Sequence, residues 1–89
     1  MLQVEATVVN KLGVHARPSA KITQLASKFR SEVWMTKGSR RINAKSIMGV
    51  MMLAAAKGAV LVIEADGPDE QDAVDALRAL IATGFGEEI

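Results

Sequence analysis

The sequence has no cysteine and no tyrosine, and only one histidine and one tryptophan among its 89 residues. Without thiols there are no disulfide scaffolds, thiolate metal sites or thiol nucleophiles, and a reducing compartment is unsurprising. With one imidazole, a metal site would have to be built mainly from carboxylates, yet the acidic residues cluster in Glu64 to Asp75 and at the C-terminus rather than near His15. No metal and no cofactor are therefore expected. No apolar stretch reaches the roughly 18 to 20 residues that span a bilayer, and no N-terminal segment joins a basic start, an apolar run and a small-residue cleavage site. The simplest expectation is a cytoplasmic protein with no membrane insertion.

What is present points to one small domain over residues 1–89, since 49% hydrophobic and 24% charged residues suffice for a single thin core. So short a chain has little room for both an enclosed cleft and a catalytic constellation, which favours a surface site. The net charge is only +1, too balanced for a dedicated nucleic-acid binder. Arg40-Arg41 lacks the interleaved aromatics that nucleic-acid contact would use. The charge is unevenly spread, however: from Lys11 to Lys57 the only acid is Glu32, and the last third is acidic. The first two thirds thus offer a positive surface to an acidic partner or an anion.

Leu2, Val4, Ala6 and Val8 alternate with polar residues as on a half-buried strand, until Asn10-Lys11-Leu12-Gly13 breaks the pattern. From Ala16 to Arg30 the apolar residues Ala20, Ile22, Leu25, Ala26 and Phe29 recur at helical steps, with Pro18 in the first turn. Glu32 to Thr36 and Arg40 to Asn43 read as strands joined by Lys37-Gly38-Ser39. Ser46 reads as the N-cap of a helix over Ile47 to Leu53 with a ragged alanine continuation ended by Gly58. Val60 to Ala65 is apolar enough for a central strand. Asp69 then caps a helix whose buried stripe is Ala73, Val74, Leu77, Leu80 and Ile81, stopped by Thr83-Gly84. The order β-α-β-β-α-β-α predicts an α+β fold with its helices on one face of a four-stranded sheet.

The chemistry concentrates in Gly13-Val14-His15-Ala16-Arg17-Pro18-Ser19-Ala20, where a titratable imidazole stands at the positive end of a helix beside a guanidinium. Unsatisfied first-turn amides and the macrodipole stabilise a nearby anion by roughly 0.3 to 1 kcal/mol, and about 2 when partly buried. Arg17 adds a charge-assisted contact. The same positive charge disfavours imidazolium and keeps the ring nucleophilic. A lone histidine before a helix is more often a cap or a surface residue, so its neighbours carry the functional reading. Phosphoryl transfer fits so small a protein because it asks mainly for positioning and charge stabilisation.

This segment closely resembles the active-site segment of the histidine-containing phosphocarrier (HPr) family of the bacterial phosphotransferase system. Ile42-Asn43-Ala44-Lys45-Ser46-Ile47-Met48-Gly49-Val50-Met51 resembles the family's second signature, so the likeness covers nearly the whole chain. The resemblance implies an open-faced β-sandwich with a four-stranded antiparallel sheet and three helices. It implies a phosphoryl carrier, not an independent enzyme: Enzyme I, charged from phosphoenolpyruvate, phosphorylates His15 at the ring nitrogen nearer the backbone, with Arg17 as electrostatic partner. A sugar-specific or nitrogen-regulatory IIA protein is the next acceptor. The ending Ala82 to Glu88 resembles the nitrogen-related paralogue, whereas the Ser46 segment resembles the sugar-type or kinase-regulated forms. Gln24 and Ala54 stand where many sugar-type members carry lysine and glycine.

Ser46 has a bland reading as an N-cap and a regulatory one, because in some relatives an HPr kinase/phosphorylase modifies the matching serine. The helix it starts carries more large apolar groups than one side can bury, which leaves Ile47, Met48 and Met51 to contact partners within a ring formed by Lys21, Lys45 and Arg17. Ala16 and Ala20 join that expected surface. Trp34 reads as packing or a surface residue rather than a ligand platform. A monomer is expected. The main alternative is a regulatory interaction module controlled by phosphorylation at His15 or Ser46. A hydrolase using His15 as base ranks below both, for want of a nucleophile or metal partner in sequence.

Overall fold

The computed structural model describes residues 1–89. Strand β1 (Leu2–Thr7) leads to helix α1 (Ala16–Ala26), a hairpin of β2 (Glu32–Lys37) and β3 (Arg40–Asn43), helix α2 (Ile47–Met52), strand β4 (Val60–Asp66) and helix α3 (Glu70–Ala82). A short 3-10 turn, Gly84–Gly86, follows α3. The strands lie in the order β1-β4-β2-β3 with every neighbouring pair antiparallel. The predicted element order and open-faced α+β architecture are therefore both present.

Alternation along the strands decides which face is covered. Ala6, Val33, Met35, Leu61, Ile63 and Ala65 are buried together with Ile22 and Ala26 of α1 and Ala73, Val74, Leu77 and Ile81 of α3. Each stripe has the period its element requires, two on the strands and three to four on the helices. The opposite face of the sheet is open. There Arg41 lies 4.2 Å from the centroid of Trp34 and 3.2 Å from the carboxylate of Glu64, so the tryptophan is a surface packing platform occupied by its own hairpin.

Two helix ends and one cap differ from expectation, each through a tertiary contact. Helix α1 stops at Ala26 rather than Arg30 because the backbone N–H groups of Arg30 and Ser31 donate to the carboxylate of Asp69, both at 2.9 Å. Asp69 consequently stands at the cap position of α3 without its side chain bonding the helix. Helix α2 ends at Met52, with no alanine continuation: Arg40 donates to the Met52 carbonyl at 3.0 Å, and Lys37 to those of Leu53 and Ala54, each at 3.1 Å. Cations from the hairpin thus satisfy the orphan carbonyls where the helix closes.

The Ser31 hydroxyl, followed by the Arg30 and Ser31 amides, holds the Asp69 carboxyl down at about 2 from its ordinary 3.8. A depressed folded-state pKa contributes stability that is present above 3.8 and lost as pH falls through about 2. The melting temperature should therefore fall steeply across that window. Asp69→Asn should lower it at neutral pH and flatten the acid limb; parallel pH curves for the two proteins would refute this.

Candidate functional site at the start of α1

His15 is the N-cap residue of α1, with extended backbone (φ −87°, ψ −164°) and no side-chain bond to the helix. The cap carbonyl is instead secured by Ser19, whose backbone N–H and hydroxyl donate to His15 O at 3.0 and 2.8 Å. The imidazole takes no part in capping, and its side chain is 38% exposed. Ala16 and Arg17 supply first-turn amides with no preceding helical acceptor, whereas Pro18 has no N–H to give. Arg17 is exposed and makes no hydrogen bond or ion pair, so its guanidinium is free to meet an incoming anion.

The loop before the helix fixes where the ring stands. Gly13 adopts φ +70°; its N–H donates to Asn10 O at 3.1 Å and its carbonyl accepts from His15 N at 3.1 Å. Val14 N donates to Ala55 O at 2.8 Å, tying the loop to the segment after α2. Asn10, fully buried, donates through its amide to Gly13 O at 2.7 Å.

Sequence reasoning missed one member of the site. The acidic C-terminus, expected to lie apart from His15, returns to it: the Glu87 carboxylate oxygens are 2.9 and 3.0 Å from His15 Nε2. Asn10 Nδ2 donates to the same carboxylate at 3.1 Å. The His15 contact, then Asn10 and the positive charge of Lys21, holds the Glu87 carboxyl below the usual glutamate value against the opposing effect of desolvation. The Gly84-Phe85-Gly86 turn just before Glu87 was the only available signal, and by itself it marks only a stop.

Ser46 is the N-cap of α2, accepting from Gly49 N at 3.1 Å, and it is exposed. Ile47, Met48 and Met51 are exposed, as is Met52, while Val50 and Leu53 enter the core. Ala16 is exposed and Ala20 half-buried on α1. The two lysines expected to ring the patch are both anchored, Lys21 Nζ to Phe85 O at 2.7 Å and Lys45 Nζ to Phe29 O at 2.9 Å. Their charges are fixed in place by carbonyls rather than carried on free side chains.

The family model described as the "PTS HPr component phosphorylation site" matches residues 2–83. The chain is 62% identical over 87 residues to the phosphocarrier protein HPr of Cupriavidus necator, covering 98% of each chain. It is similar to the crystal structure of HPr-C-His from Thermoanaerobacter tengcongensis, with a TM-score of 0.95, 47% identity and full coverage of both chains. A crystal structure of an HPr dimer from the same organism also matches, with a TM-score of 0.78, 47% identity, and coverage of 98% of this chain and 100% of that one. No helix is long and apolar enough to cross a membrane.

Proposed function

Because the chain belongs to the HPr family of phosphocarrier proteins of the phosphotransferase system, we propose that it accepts a phosphoryl group from Enzyme I on His15 and passes it to a IIA protein in the cytoplasm. The observation that carries this reading is the 38% exposed imidazole at the mouth of α1, which makes no bond to the helix and is followed by the unpartnered Arg17. A ring-nitrogen lone pair attacks phosphorus, the N–P bond forms as the bond to the donor breaks, and that electron pair leaves with the donor. Arg17 and the first-turn amides stabilise the phosphoryl oxygens. In this reading the carrier works as a monomer. It is a covalent intermediate regenerated by its partners rather than an independent enzyme.

Incubation with phosphoenolpyruvate and Enzyme I should give acid-labile phosphate that maps to His15 by mass spectrometry at neutral and alkaline pH. Phosphate absent, or found elsewhere, overturns the reading.

Enzyme I and the IIA acceptor dock in this reading on Ala16, Ala20, Ile47, Met48 and Met51, flanked by Lys21 and Lys45. Ser46 adjoins that surface and is exposed, which supports its regulation by an HPr kinase/phosphorylase. A phosphoryl group there adds about 1.5 to 2 negative charges within a basic stretch. Ser46→Asp preserves a good N-cap residue, so the fold should hold while transfer to His15 slows by roughly tenfold, most at low salt. Equal transfer rates for Ser46→Asp and wild type would end the regulatory idea.

A further inference from the structure

The tail after α3 is built to deliver one carboxylate to the ring. Phe85 is buried at φ +59° between Gly84 and Gly86, which also have positive φ, at +67° and +74°. Lys21 holds the Phe85 carbonyl at 2.7 Å, Lys11 N donates to Glu88 O at 2.8 Å, and Glu87 N donates to Gly84 O at 2.9 Å. Glu87 is therefore pinned on both sides, and its carboxylate is oriented further by the buried amide of Asn10 at 3.1 Å. Such support preorganises a side chain before any partner arrives.

An ionised carboxylate can only accept hydrogen bonds, so with Glu87 at 2.9 and 3.0 Å the proton of a neutral imidazole belongs on Nε2. Nδ1 has no hydrogen-bond partner and carries the free lone pair. We infer that Glu87 is a positioning residue for phosphoryl transfer: it holds His15 in the Nε2–H tautomer and leaves Nδ1 as the attacking nitrogen. The inference rests on His15 being the phosphoryl acceptor.

When Nδ1 takes the phosphoryl group, the Nε2 proton stays and the ring becomes cationic, so the Glu87 contact becomes a full ion pair. On onward transfer the Nδ1–P bond breaks and its electron pair goes back to Nδ1. Neither step requires a proton to leave or enter. The logic parallels the carboxylate that fixes the catalytic histidine of serine proteases.

The decisive measurement is 15N NMR of the His15 ring at a pH where it is neutral, in wild type and in Glu87→Gln, whose amide can donate as readily as accept. Wild type should show Nε2 protonated and Nδ1 bare, with phosphoryl on Nδ1 after transfer. Glu87→Gln should populate both tautomers and accept phosphoryl about tenfold more slowly, with the KM for the phosphorylated donor unchanged. A dominant Nδ1–H in wild type, phosphoryl on Nε2, or an unaltered tautomer ratio and rate in Glu87→Gln would each overturn the assignment. If wild type takes no phosphoryl group on His15, the carrier reading falls, while the spectra of the free protein still decide whether Glu87 sets the tautomer.

Discussion

Phosphoryl acceptance is expected to vanish in His15→Ala while the fold persists. The chain holds no second imidazole and no thiol to substitute for the ring. The nearest hydroxyl on α1, Ser19, is buried and already spent on the His15 carbonyl at 2.8 Å. That bond comes from the backbone of residue 15 and survives the truncation, so the start of α1 keeps its closure. The ring's own bonds go only to Glu87, a half-exposed pair of the kind that contributes little to stability. The variant should therefore melt close to wild type and show no added phosphoryl mass after incubation with the donor. Phosphorylation of the variant at an undiminished level would remove His15 from the mechanism, and a collapse of stability would show that the ring has a structural role after all.

The place of His15 at the start of α1 was legible because its signals are local: a glycine two residues before it, a proline three after, and an apolar stripe at helical spacing. The strands were legible for the same reason, since alternation over β1 is contained within Leu2–Thr7. Glu87 was not, because it meets the ring from 72 residues away on a segment with no periodicity. The tail also depends on a positive φ at Phe85, a conformation that nothing about a phenylalanine announces. Asn10 shows the same limit, being readable as the end of β1 but not as a buried donor to both Gly13 and Glu87.

The misjudged helix ends share a cause. Local propensity allowed α1 to run on to Arg30 and the alanines after Leu53 to stay helical, but Asp69 captures the first segment and the hairpin cations Lys37 and Arg40 close the second. Lys21 and Lys45 counted in sequence as free charge; the fold spends their ammonium groups on carbonyls while keeping the charge where a partner would feel it. Such contacts join elements far apart in the chain, and composition carries no record of them.

Gly13→Ala should be the most damaging single-methyl change near the site, because two penalties coincide. At φ +70° an L-residue costs about 1 to 2 kcal/mol, and this cost stands even if surrounding groups yield. They cannot yield easily, since the new Cβ would lie 2.4 Å from the Ala55 carbonyl oxygen and 2.9 Å from the Ala56 Cα, both backbone atoms. Relieving such a clash typically costs a further 1 to 3 kcal/mol or so. The displaced carbonyl is the one that accepts from Val14 N at 2.8 Å, so relief breaks the bond that ties the His15 loop to the segment after α2. A loss of about 2 to 5 kcal/mol lowers the melting temperature by roughly 10 °C or more in a domain of this size. Phosphoryl acceptance should fall even well below that midpoint, because the residue that moves is two positions from the ring. A melting temperature within about 3 °C of wild type would mean that the loop has room the geometry denies it, and with it that His15 is not held by this turn.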